Sequence, residues 1–162
     1  MQGKISTDMD LKIDTVIVID PWWNMPTVVA KNIHAINYDE IFVNCTMRNP
    51  IHESFREVAE LNDLHGFIAM CNEFKKKQGR PKNVVLCGQA WDCGVHWETL
   101  GVENLIKFIG LINLYVDPKC MAMGTQRLDR TCTENHIMEH KYSWKKVNDQ
   151  YFECQKLGKI YE

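Results

Sequence analysis

Asn83 to Thr99 reads NVVLCGQAWDCGVHWET. Four apolar residues, Val84, Val85, Leu86 and Cys87, run up to Gly88, and a short loop of polar and small residues then leads into an amphipathic helix. An apolar run of that length closed by a turn predicts a buried strand. In an α/β sheet, the loop between such a strand and the next helix N-terminus is where ligands bind. Here that loop carries Gln89, Trp91, Asp92, Cys93 and His96, a dense set of recognising and reactive side chains.

The same pattern recurs on either side. Asp14 to Asp20 reads DTVIVID, an unbroken apolar run ending in an acid, as expected of a central parallel strand buried on both faces. Pro21-Trp22-Trp23-Asn24-Met25-Pro26 breaks it, and Thr27 is the expected N-cap of a helix with Val28, Val29, Ile33 and Ile36 on one face. Ile41, Phe42, Val43 and Cys45 predict a second strand, closed by Arg48-Asn49-Pro50. His52 to Gln78 is helical in pattern, interrupted near His65-Gly66 and stopped at Gly79-Arg80-Pro81.

Beyond the opening stretch, a helix from about Val95 to Phe108 presents Leu100, Leu105 and Ile106, with Ile109 just past it. Leu111 to Asp117 predicts a fourth strand, ended by Pro118, and the remainder from Thr125 predicts one or two helices and a polar tail. Strands alternating with helices imply βαβ units. The expectation is one domain over residues 1–162, a Rossmann-like three-layer α/β/α sandwich with a mostly parallel sheet, its central strands Thr15 to Asp20 and Val84 to Cys87.

Composition narrows the function. With 162 residues, 45% of them hydrophobic, the chain fills one core and not two. A net charge of −2 supplies no basic field, which argues against nucleic acid and acidic membrane as partners. The seven Cys are odd in number and contain no CxxC pair, so neither a disulfide framework nor a zinc ribbon is expected. With no apolar leader or spanning run, the chain is expected in the cytoplasm, where thiols stay reduced.

An acid after the first strand and a Cys at the turn before a later helix resembles the isochorismatase-like cysteine hydrolases, which include nicotinamidases. Thr15 to Asp20 is similar to that family's first strand with its catalytic Asp. Val84 to Thr99 is similar to its nucleophile loop, and Leu111 to Ala122 (LINLYVDPKCMA) to its next strand. The resemblance implies a hydrolase of C–N or related bonds, with Asp20 and Cys93 catalytic, no cofactor, and a homo-oligomer. Six residues beyond Gly88, where the family has its Cys, this chain has Gly94, with Cys93 one place earlier. No Lys among Lys75, Lys76, Lys77 and Lys82 sits where a strand would aim it into the site, and the nicotinamidase metal signature is absent. A non-catalytic relative that binds a ligand or a protein partner is the alternative.

The residues carry both readings. A helix N-terminus lowers a thiol pKa, which suits Cys93, whereas the neighbouring Asp92 opposes it. Asp20 would shuttle the proton in catalysis, or else cap a helix. Trp22, Trp23 and Trp91 suit stacking on a planar ring or an oligomer contact. Arg48 suits a substrate carboxylate or a loop cap, and Gln89, Asp92 and His96 complete the expected substrate-binding set. Cys132, His136 and His140 recur every four residues, but ligands two turns apart converge poorly on one ion, so a packing face is the expectation and no metal site.

Overall fold

The computed structural model describes residues 11–44, 50–61, 81–89, 101–108, 112–122 and 144–155. Six strands form a single sheet: β1 (Thr15–Ile19), β2 (Glu40–Asn44), β3 (Lys82–Gln89), β4 (Ile112–Ala122), β5 (Trp144–Lys146) and β6 (Phe152–Cys154). Their order is β2-β1-β3-β4-β6-β5. β2, β1, β3 and β4 run parallel, and β6 and β5 extend the sheet antiparallel. The sheet is therefore mixed, with β1 and β3 interior as the apolar runs required.

Period-two alternation sorts β1 and β3 between two apolar clusters. Ile17, Ile19, Val84 and Leu86 pack with Val102 and Leu105 of α3 (Val102–Leu105) and with Trp144 and Phe152. Val16, Val18, Val85 and Cys87 pack with Val29, Ala30 and Ile33 of α1 (Thr27–His34) and with Phe55. Each fully buried aliphatic side chain contributes roughly 1.5–3 kcal/mol against solvent. A 3-10 turn (Glu53–Phe55) runs into α2 (Arg56–Leu61).

Several boundaries differ from expectation, each for a local reason. Thr27 is the first residue of α1, and the N-cap is Pro26, with no side-chain cap bond. β3 continues through Gly88 to Gln89 because Gly88 takes a φ of +117° that keeps the strand against β1. β4 runs past Asp117-Pro118 to Ala122. Leu86 pairs with Val116 and Gly88 with Met121, so two steps on β3 face five on β4, a surplus of three residues that bulges outward. Part of the stretch read as helices and polar tail is the β5–β6 hairpin. Its turn is set by Asn148, whose Oδ1 accepts the N–H groups of Gln150 and Tyr151 at 2.8 and 2.7 Å.

The N-terminal edge of the parallel strands is tied by polar groups. Asp14 Oδ2 accepts the Asn83 N–H at 2.8 Å, and Asn83 Nδ2 donates to the Lys12 carbonyl at 2.7 Å. Glu40 accepts from Thr15 Oγ1 and from Lys82 Nζ, at 3.1 and 3.2 Å. These bonds fix the register of β2, β1 and β3 and so decide which residues meet at the opposite edge. No described helix is long and apolar enough to cross a membrane.

Candidate functional site

The chain runs from β1 outward to β2, then returns to lay β3 on the other side of β1. Strand order therefore reverses between β1 and β3, and ligands in open α/β sheets bind at the carboxyl ends of the strands at such a switch point. Ile19 pairs with Gly88, the last register pair of β1 and β3, and Asp20 and Gln89 are the residues that follow it on the two chains.

Asp20 is 3% exposed and adopts a φ of +46°, the one non-glycine residue with positive φ among those described. Asp tolerates this left-handed region better than most residues, and non-glycine residues held there cluster at functional sites. Its N–H donates to the Asn44 carbonyl at 2.9 Å, and its own carbonyl accepts the Trp22 N–H at 2.7 Å, turning the chain sharply off the sheet. The loop that follows is pinned from outside. Trp23 N–H donates to the Pro50 carbonyl at 2.8 Å, His52 N–H donates to the Pro21 carbonyl at 2.7 Å, and Trp22 bridges Ile51 antiparallel.

Gln89 is 2% exposed. Its Nε2 donates to Asn24 Oδ1 at 3.1 Å, while its Oε1 is buried with no hydrogen-bond partner among the described residues. A buried amide oxygen left unmatched costs about 1–3 kcal/mol, so it is an acceptor in want of a donor. Gly88 makes this placement possible, since a Cβ there would lie 2.1 Å from the Ile19 carbonyl oxygen. The site thus offers a buried acceptor on Gln89, a second amide on Asn24 and the buried acid Asp20.

Of the residues predicted to line the site, Asp20 and Gln89 come together, Trp22 is half-buried in the loop after β1, and Trp23 projects, 63% exposed. Arg48, Trp91, Asp92, Cys93 and His96 lie outside the described residues, as do Cys132, His136 and His140. Two assignments change. Asp20 does not cap α1, which begins seven residues later without a side-chain cap. Asp117, expected as the last residue of the fourth strand, is instead enclosed in the β4 bulge, where its carboxylate accepts Lys119 N–H at 2.9 Å and Gln150 Nε2 at 3.0 Å. Asn24 and Asn44 were missed, because an Asn in a turn or at a strand end is ordinary turn chemistry in sequence terms.

The thiols of Cys87 and Cys120 are not poised as nucleophiles. Cys87 is fully buried and donates to the Ile17 carbonyl at 3.4 Å; burial, then the charge of Asp117, pushes its pKa up. Cys120 is raised by burial and then by Asp117, onto whose Oδ2 it donates at 3.7 Å. The two phenols beside them behave alike: burial raises Tyr151, and burial followed by Glu153 pushes Tyr115 up to about 12. Among the described residues, no group of three or more His, Cys, Asp or Glu is arranged to hold a metal.

No protein-family model matches the chain, and neither a curated protein nor a solved structure matches it significantly.

Proposed function

We propose that the chain is an isochorismatase-like three-layer α/β/α sandwich that binds a small molecule at the carboxyl edge of β1 and β3, the ligand giving an N–H to Gln89. The observation that carries this reading is the buried, unmatched Gln89 Oε1 beside the left-handed Asp20, at the point where strand order reverses. A carboxamide or related N–H compound suits it, because Asn24 lies beside the acceptor and Trp22 and Trp23 belong to the same loop. The test is a thermal-shift comparison of planar aromatic carboxamides with their N,N-dimethyl counterparts. Stabilisation by the N–H compounds alone, lost in Gln89→Leu, is the expected result; equal shifts for both sets, or none, overturn it.

The second reading is a cysteine hydrolase acting on C–N or related bonds, with Asp20 as proton carrier and Cys93 as nucleophile. The burial and left-handed backbone of Asp20 favour it, since strain of that kind is tolerated where function needs it. Alkylation of Cys93 well below the free-thiol pKa of about 8.5, together with loss of turnover in Cys93→Ser, supports hydrolysis. Labelling of Cys93 only near that pKa returns the chain to the binding reading.

Association into a homo-oligomer belongs to the same proposal. Trp23 is 63% and Val28 46% exposed, and contiguous apolar surface marks partners. A solution mass of 18.9 kDa by light scattering at micromolar concentration counts against it. A cytoplasmic setting fits the free thiols of Cys87, Cys120 and Cys154.

A further inference from the structure

Beside the unmatched Gln89 oxygen stands a second amide whose polar groups are only half used. The bond between the two side chains runs from Gln89 Nε2 to Asn24 Oδ1, at 3.1 Å. Each amide is planar, so Gln89 Oε1 and Asn24 Nδ2 remain as the other arms of the two groups. Oε1 is buried without a partner among the described residues. Asn24 is half-buried, and its Nδ2 makes no bond among them either. Two amides closed fully on each other would join these two atoms as well, in a ring of two hydrogen bonds. This pair is joined through one arm only and left open at the other.

Both amides are held in place. Gln89 is 2% exposed at the end of β3. Asn24 sits between two tied residues: Trp23 N–H donates to the Pro50 carbonyl at 2.8 Å, and Met25 N–H to the Trp22 carbonyl at 2.9 Å. Donors and acceptors fixed in advance need little ordering when a ligand arrives, and so select it by geometry.

We propose that the open side of this pair selects a lactam, a ring amide whose N–H meets Gln89 Oε1 while the C=O beside it accepts from Asn24 Nδ2. The inference rests on the ligand-binding reading above and narrows its substrate class. A lactam carries its N–H and C=O on one edge, because the ring holds the amide cis. An open-chain secondary amide is trans and turns them to opposite sides. The inventory of groups fits as well, since the pair offers one acceptor and one donor and a lactam brings one of each. A primary carboxamide brings a second N–H, and Gln89 Oε1 is the one buried side-chain acceptor without a partner among the described residues. A surplus donor taken out of water unmatched weakens binding. Trp22, half-buried in the same loop, suits the flat ring to which such a lactam is fused.

Isothermal titration of the whole chain with dihydroisoquinolinone and with N-ethylbenzamide tests the proposal. The two compounds have the same carbon, nitrogen and oxygen content, and ring closure alone sets the amide cis in the first. The lactam is expected to bind about tenfold more tightly, the worth of about one net hydrogen bond. Asn24→Asp keeps an oxygen for Gln89 Nε2 and replaces the donor by a second oxygen, so the advantage of the lactam should disappear. Gln89→Leu should abolish binding of both compounds. Equal affinities in the parent chain, with both lost in Gln89→Leu, overturn the lactam and leave the N–H reading standing, as when a water fills the open side. A lactam advantage that survives Asn24→Asp does the same. Binding of neither compound, or binding of both that persists in Gln89→Leu, overturns the two readings together.

Discussion

Asn113 Nδ2 donates to Asn83 Oδ1 at 3.0 Å across β4 and β3, while the backbone of Asn83 is bound by the Asp14 carboxylate of the chain entering β1. The two Asn residues are register partners, so one side-chain bond joins the polar tie of β1 and β3 to a third strand. A slip of one residue would break this chain of donors and turn each strand's apolar faces inside out. Asp14→Ala removes the acceptor from a buried N–H, and is expected to cost about 1.5–3 kcal/mol in urea denaturation, with the slope unchanged.

Gly88→Ala is expected to cost about 3 kcal/mol or to prevent folding, since its φ is +117° and the new methyl would press on the Ile19 backbone. Any variant that folds must push Ile19 aside and with it Asp20. Ligand binding should then fail even at temperatures where circular dichroism shows a native chain.

Gln89→Leu separates stability from function. It removes a buried acceptor that has no partner among the described residues and leaves Asn24 without one donor, so the net change is expected within about 1 kcal/mol of zero. Binding of N–H ligands should disappear. A loss of several kcal/mol in the melt would mean that Gln89 holds the fold and not a ligand.

Acid should weaken the fold through His34. Partial covering of its ring, then the neighbouring His52, lowers its pKa below the usual value of 6.5. The unfolded chain therefore binds the proton more readily, so this contribution is intact above about pH 6.5 and is lost as pH falls from there towards the lowered folded value. Urea midpoints measured from neutral pH downward should fall less steeply in His34→Gln than in the parent.

Glu153 acts in the opposite sense. Burial raises its pKa above the usual 4.5, against a smaller opposing pull from Lys145, so the folded chain holds that proton more tightly. Its contribution favours folding in acid and is lost as pH rises through the raised value. Glu153→Gln is expected to raise the melting temperature at neutral pH and to leave it unchanged in acid.

The four parallel strands were legible because each carries an uninterrupted apolar run, and VIVI and VVLC admit few other readings. The hairpin was not. In β5 a buried Trp144 is followed by exposed Lys145 and Lys146, and in β6 a half-buried Glu153 lies between Phe152 and Cys154, so three residues give too short a period to recognise. Asp117-Pro118 hid the continuation of β4, since a proline ordinarily ends an interior strand and here sits buried in a bulge, next to the exposed Lys119. At the site, Asp20 and Gln89 were found as residues closing apolar runs. Their pairing with Asn44 and Asn24 depends on loops folding back, which no local pattern encodes.

The β4 bulge also bears on the order in which the chain assembles. Gln150 reaches Asp117 across 33 positions of sequence, and it does so only after the surplus residues of β4 have been set out of the ladder. Closing that loop yields little until β3 and β4 are paired, so the hairpin is expected to dock last. Gln150→Ala should accordingly speed unfolding and leave refolding rates unchanged, the signature of a latch that fastens after the transition state.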